Sequence, residues 1–285
     1  MGMRLLVLGG GGMLGRAVAR DAARLGHDVV VPARAELDIT DAAGVARLVA
    51  GVAPAAIVNC AGWTDVDGAE GAEAQALRVN GDGAGHVAGA AADAGARVVH
   101  VSTDYVFDGT KREPWLESDP VAPLQAYGRT KLAGERAVAA AGGEHAIVRA
   151  AWLFGAGGTN FVDTILRLGA ERDEVTVVAD QHGGPTWTGH LAPALVELAE
   201  RHGDVGIFHA SGAGECSWYE LAVEILHRSG LRSRAVPTTS DRFPRAARRP
   251  AYSVLGTERE PGIVLPPWQD GLAAYLAERA GAAAA

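Results

Sequence analysis

Through the first half of the chain, short apolar runs alternate with longer alanine-rich stretches, and most of the runs stop at a glycine or a polar side chain. Runs at residues 4–9 (RLLVLG), 28–32 (DVVVP), 55–60 (AAIVNC), 96–101 (ARVVHV) and 145–149 (HAIVR) have the length and β-branched content of buried strands. Between most of them lie stretches that read as helices, the longest from about Ala72 to Ala94. Strands that alternate with helices predict a parallel sheet covered on both faces. Beyond residue 150 the pattern loosens. Proline loops (GGPTW, AVPTT, RRPAY, VLPPW) separate shorter helices at His190 to Arg201 and Ser217 to Ser229, which predicts a smaller carboxyl-terminal lobe over the sheet's carboxyl edge.

Composition narrows the class. With 285 residues, 48% of them hydrophobic, the chain can bury one large core or a core with an added lobe. A net charge of -8 argues against a nucleic-acid partner, while a local basic pocket for a phosphorylated small molecule stays open. The two cysteines, Cys60 and Cys216, give no disulfide framework, so a reducing cytoplasmic location is expected. The opening MGMRLLVLGGGG has too short an apolar run for a membrane span and no signal-cleavage pattern, so no membrane partner is expected. His182, His190, His202 and His209 lack zinc spacing, and Gly68 in DVDGAE comes too early for a calcium loop. No metal is expected, and Asp65 to Glu70 reads as a helix cap.

The first strand runs into LVLGGGGMLGRAVA. Gly9, Gly12 and Gly15 fit GxxGxxG, and Gly10, Gly12 and Gly15 fit GxGxxG. In either register, glycines between a strand and a helix let a pyrophosphate approach backbone N–H groups where the helix dipole favours an anion. The fold expected is therefore α/β: a Rossmann-type doubly wound parallel sheet with a smaller C-terminal substrate-binding lobe. Residues 1–150 would form the NAD(P)-binding domain and 151–285 mainly the lobe, with some return of the chain to the sheet. About twenty residues on, VVVPARAELDIT places Ala33 and Arg34 where NAD-binding chains carry an acid. Arg34 can pair with a 2′-phosphate, which favours NADPH and leaves NADH as the alternative through Glu36 or Asp38.

QAYGRTKLAGE sets Tyr127 and Lys131 four residues apart on one helix face. A nearby ammonium favours phenolate over phenol, so Lys131 is expected to lower the Tyr127 pKa. Thr103 closes the strand of VHVSTDYVFDGT, and VNCAG puts Asn59 and Gly62 at another strand end. In a parallel sheet these ends share one crevice.

Tyr127 and Lys131, the glycine loop and VNCAG resemble the extended short-chain dehydrogenases/reductases. VNCAGWTDVDGAE, VSTDYVFDGT, YGRTKLAGE, RAAWLFGAGGTNFVDTILRL, VVADQHGGPT and RRPAYSVL together resemble the dTDP-4-dehydrorhamnose reductase family over nearly the whole chain. The resemblance implies a nucleotide-sugar substrate whose C4 ketone is reduced, with Tyr127 as proton donor and Thr103 bonded to the same oxygen. Lys131 would hold the nicotinamide ribose. Met13, Leu14, Asp38, Ile39, Gly62, Trp63 and Thr64 would line the cofactor, and Asp104 and Trp152 would touch the sugar nucleotide. A monomer or homodimer is expected. The chain departs from the family at Ala150 and Ala151, where Thr and Ser are frequent, and at Gly256, where an aspartate is common; these touch substrate selectivity rather than the catalytic set.

Related sugar-nucleotide 4,6-dehydratases follow the catalytic threonine with Asp and Glu. Here Asp104 is followed by Tyr105, so the acid pair needed for loss of water is broken and a reductase is preferred. Two alternatives stay open: a 4-ketoreductase of another nucleotide-linked deoxysugar, and a non-catalytic NADP-binding regulatory subunit such as that of methionine adenosyltransferase.

Overall fold

The structure, a computed structural model, describes residues 2–284. Strands β1 (Arg4–Leu8), β2 (Asp28–Val30), β3 (Ala56–Asn59), β4 (Arg97–Thr103) and β5 (His145–Ala150) alternate with helices α1 (Met13–Arg24), α2 (Ala42–Val52), α3 (Val66–Gly71), α4 (Glu73–Leu77), α5 (Gly83–Asp93) and α6 (Ala126–Ala140). There follow β6 (Leu153–Phe154), α7 (Phe161–Glu171), β7 (Glu174–Val178), β8 (His182–Gly183), β9 (Thr186–Trp187), α8 (Thr188–Glu200), β10 (Gly206–His209), β11 (Cys216–Ser217), α9 (Trp218–Arg228), β12 (Arg234–Thr238) and α10 (Trp268–Ala284).

Six strands form one parallel sheet in the order β10-β5-β4-β3-β1-β2. Strand alternation sorts its side chains. Leu5 and Val7 of β1 join a core with Leu14, Val18, Leu191 and Leu195 from α1 and α8, while Leu6 and Leu8 join Val45, Val49, Val87 and Val138 from α2, α5 and α6. Each face is thus closed by helices, as the apolar runs require. The order reverses between β1 and β3, so the carboxyl ends of these strands border a crevice.

The chain crosses back after residue 150. β10 pairs with β5 from Gly206↔Ala146 to His209↔Arg149, and α8 packs across α1 on the sheet's face. The lobe itself has a separate core of Phe154, Val162, Ile165, Leu221, Ile225 and Leu272. Parallel β7 and β12 edge that lobe.

The helical stretch expected over 72–94 is interrupted. Residues Arg78–Asp82 form a π-turn between α4 and α5, which puts Asn80, 1% exposed, into the interior. That turn lies against α6, where a Cβ on Gly134 would stand 2.1 Å from the Asn80 carbonyl oxygen. Gly134→Ala should therefore push α6 from the π-turn and cost about 1–3 kcal/mol of stability, read as a lower urea midpoint.

Candidate functional site

The glycine loop at the switch point settles its own register. Gly9 has φ +75°, and a Cβ there would lie 2.6 Å from the Ala61 amide nitrogen at the end of β3. A Cβ on Gly15 would lie 2.3 Å and one on Gly12 3.3 Å from the Gly9 carbonyl oxygen, whereas the close contact of one on Gly10 would be with a side chain, Val31 at 2.1 Å, and one on Gly11 would meet nothing within 4 Å. Gly9, Gly12 and Gly15 are thus the structural triplet. Gly12 caps α1 without a side-chain hydrogen bond, leaving the helix's first N–H groups directed at the crevice. This bare, cramped turn fits a dinucleotide pyrophosphate.

At the end of β2, the Glu36 carboxylate accepts the Ala33 N–H at 2.7 Å and so is spent on its own turn. Asp38 accepts the Thr40 N–H and hydroxyl, both at 2.9 Å, and these bonds hold its carboxyl below its ordinary pKa. Arg34 stands exposed beside them. Leu14 and Ile39 bury their side chains in the two sheet cores, so they can border a cofactor only through their backbone; Met13 stays half-buried beside the 155–159 loop.

Helix α6 begins where Gln125 caps it by accepting the Gly128 N–H and Glu70 accepts the Ala126 N–H. A Cβ on Gly128 would stand 2.2 Å from the Tyr105 carbonyl, so the first turn of α6 packs tightly on the segment after β4. This brings Tyr127 to Thr103, whose hydroxyl acts on the phenol, and the Tyr105 ring meets Tyr127 edge-on at 6.2 Å. Lys131, buried, donates to the Val101 carbonyl at 2.7 Å and lies 3.5 Å from His100 Nε2. Gly62 leaves room above it, since a Cβ there would be 3.9 Å from Nζ.

The expectation that Lys131 lowers the Tyr127 pKa does not hold. Burial first, and the Asp104 charge second, push the phenol up to about 12, against a smaller downward pull from Thr103. Lys131, engaged by Val101, is not among the groups that act on it. Asp104 is itself raised to about 7 by burial, offset in part by the Ser253 and Thr103 hydroxyls. Its Oδ2 is buried without a hydrogen-bond partner in the chain, a state that a ligand hydroxyl would relieve.

Sequence reasoning missed Asn80. It accepts the Trp63 N–H at 2.8 Å, donates to the Trp63 carbonyl and to Thr130 Oγ1, and so fixes the Gly62–Thr64 loop beside Lys131. A π-turn has no periodicity signal that would reveal it.

Beyond Thr64, Trp152, Trp218, Phe161, Asn160 and Arg249 border an open cleft of about 430 Å³. Trp152 has φ +47°, rare for a bulky side chain, and stacks on Trp218 with ring centroids 3.5 Å apart. Gly183 permits this, because a Cβ there would lie 2.3 Å from the Trp152 ring. Across the cleft, Arg249 grips both carboxylate oxygens of Asp67, and Asp67 also accepts the Ala247 N–H. Burial chiefly, and the Asp104 charge next, raise the Tyr105 pKa, against a smaller downward pull from the nearby Arg249. Asp65 caps α3 by accepting the Gly68 N–H. Among the described residues no His, Cys, Asp and Glu group is arranged to hold a metal, and no helix is long and apolar enough to cross a membrane.

A family profile described as RmlD substrate binding domain matches residues 3–280. A Streptomyces griseus protein named dTDP-4-dehydrorhamnose reductase is 47% identical over 90% of this chain and 86% of its own. The chain belongs to the dTDP-4-dehydrorhamnose reductase family. Another relative at 47% identity, covering 91% of each chain, is the dTDP-4-keto-6-deoxy-D-glucose reductase of Streptomyces niveus. Among solved structures, the Bacillus anthracis dTDP-4-dehydrorhamnose reductase in complex with NADP superposes with a TM-score of 0.94 at 36% identity, over 98% of this chain and all of that one. Membership makes the α/β parallel-sheet fold and an oxidoreductase class secure.

The Asp67–Arg249 pair carries a pH signature. The Arg249 bonds hold the Asp67 carboxyl down at about 2 against an ordinary 3.8. A depressed carboxyl contributes fully above its unfolded value and loses the contribution as pH falls through the folded one. The gap in urea midpoint between wild type and Asp67→Asn should therefore be constant above about pH 4 and shrink as the pH falls toward 2.

Proposed function

We propose that the protein reduces the C4 ketone of dTDP-4-dehydro-L-rhamnose to dTDP-L-rhamnose with NADPH. The observation that carries this reading is the convergence of Thr103, Tyr127 and Lys131 at the strand ends beside the Gly9–Gly12–Gly15 turn. Bound NADPH supplies the hydride for the sugar C4. Tyr127 gives its proton to the C4 oxygen as negative charge develops there, and Thr103 holds that oxygen in line. A phenol whose pKa is near 12 is fully protonated at neutral pH, the state a donor must start from. Lys131 holds the nicotinamide ribose, and Met13, Gly62, Trp63 and Thr64 border the cofactor, with Leu14 and Ile39 contributing backbone. Asp104, with its unpartnered oxygen, and Trp152 take the sugar nucleotide.

Tyr105 argues against elimination of water. Burial raises its phenol pKa, so no ready base stands where the dehydratases carry a glutamate. A second reading, reduction of another nucleotide-linked 4-keto-6-deoxyhexose, is favoured by the equal identity to relatives named for two different sugars.

The deciding assay incubates the purified protein with dTDP-4-dehydro-L-rhamnose and NADPH. Mass spectrometry should show a gain of two hydrogens, and no turnover would overturn the reading. Tyr127→Phe should lower kcat by about 10² to 10⁴-fold with NADPH binding nearly unchanged, as isothermal titration reads it.

Arg34, exposed and close to Asp38, would pair with the 2′-phosphate, and its guanidinium, free among the described residues, supports this reading. Arg34→Ala should weaken NADPH by about 1.5–3 kcal/mol and leave NADH nearly untouched, measured as two dissociation constants.

A further inference from the structure

One turn beyond Lys131, helix α6 buries another ionisable side chain. Glu135 is 3% exposed and follows Lys131 by four residues, as Lys131 follows Tyr127, so the three share one stripe of the helix. Glu135 Oε1 accepts the Ser102 hydroxyl at 2.5 Å and Arg149 Nε at 3.0 Å, and its Oε2 accepts Arg149 Nη2 at 2.8 Å. Arg149, 2% exposed, also lies over the Phe107 ring and against His209. Ser102 stands between Val101, whose carbonyl receives Lys131, and Thr103. Two consecutive residues of β4 thus hold two consecutive turns of α6.

We propose that Glu135 is a positioning residue for the reduction: held by Ser102 and Arg149, it fixes the register of α6 on β4 and supplies the negative charge that balances the Lys131 ammonium. This rests on the reading of Tyr127 as donor and Lys131 as ribose contact. The groups around Lys131 bear it out. From β3 comes Cys60, whose thiol burial lifts to about 12, and from β4 comes His100, which burial drives well below its ordinary pKa. Both are uncharged at neutral pH. The π-turn offers the uncharged Asn80, while Glu70 and Glu73 from α3 and α4 are engaged by the Ala126 N–H and Arg129. Arg149 from β5 faces Glu135 itself. Among the described residues the ionised group that holds Lys131 up is Glu135, and against burial it leaves the ammonium at about 8. A lysine that must stay charged works below its pKa and fails as pH rises through it, so loss of the Glu135 charge should bring the alkaline limit down.

The test measures kcat and the NADPH dissociation constant against pH, with thermal unfolding as the check of fold. In Glu135→Gln the alkaline midpoint of both should move down by about one pH unit, with kcat at pH 7.5 lowered about threefold or more and the sugar-nucleotide KM little changed. Ser102→Ala keeps every charge, so it should lower kcat a few-fold and leave the midpoint where it is. If Glu135→Gln yields no folded protein, Glu135→Gln/Arg149→Met, which leaves neither buried charge unpaired, is measured instead; since it removes one charge of each sign, its midpoint should move down by less than about one unit while kcat still falls. A folded variant of Glu135 with the wild-type midpoint, or Ser102→Ala with wild-type kcat, overturns the proposal. A wild-type protein that binds NADPH but does not turn over would overturn the reductase reading alone, and the pH course of binding would still decide the role of Glu135.

Discussion

Helix α6 can rest on β4 at one height, because it buries two charged side chains there and each finds its partners at a single place. Lys131 reaches the Val101 carbonyl and Glu135 reaches Ser102 and Arg149. A shift of the helix by one residue would strand both charges in an apolar interior, at a cost of several kcal/mol each. Tyr127 inherits its position from this anchor. Its meeting with Thr103 follows from the same register, as does the tight seating of Gly128 on the Tyr105 carbonyl. The position of Tyr127 is therefore set by buried electrostatics below it, not by the exposed end of the helix.

Much of this was legible in the sequence, for physical reasons that differ by element. The strands were readable because β-branched runs buried on both sides have few other ways to fold; β1, β3 and β5 fall within a residue of their expected ends. The glycine triplet was visible but its register was not, since both patterns share Gly12 and Gly15. Only the close approach of Gly9 to Ala61 separates them. Thr103, Asn59 and Gly62 could be placed at one crevice from strand order, while Tyr127 and Lys131, on a helix, were joined to them by the family resemblance. The direction of the Tyr127 pKa could not, because it depends on how deeply the hydroxyl sinks and on Asp104 beside it, quantities that spacing does not encode. Asn80 escaped for a related reason: a π-turn is created by tertiary packing against α6, and its sequence reads as ordinary helix.

The cleft depends on contacts between distant parts of the chain. Trp152 keeps its positive φ because Gly183 yields space and Trp218 stacks on it, and Arg249 reaches from the carboxyl-terminal segment to Asp67 at the start of α3. The strain at Trp152 is thus offset by the packing around it, which fixes one wall of the cleft rather than leaving it to adapt. Asp104 and Tyr105, adjacent in sequence, are held apart in character by the same surroundings. One has a buried oxygen without a protein partner, and the other is a phenol that burial keeps protonated.

The return of β10 and α8 to the sheet has a consequence for synthesis. A chain emerging from the ribosome presents β1 to β5 first, yet the face formed by Leu5, Val7, Leu14 and Val18 has no cover until Leu191 and Leu195 arrive, and the edge of β5 has no partner until residues 206–209 do. Nearly three quarters of the polypeptide must therefore be made before the sheet closes. Until then the nascent protein exposes an apolar surface beside an unpaired strand, the combination that invites association with other chains and calls for chaperone protection during translation.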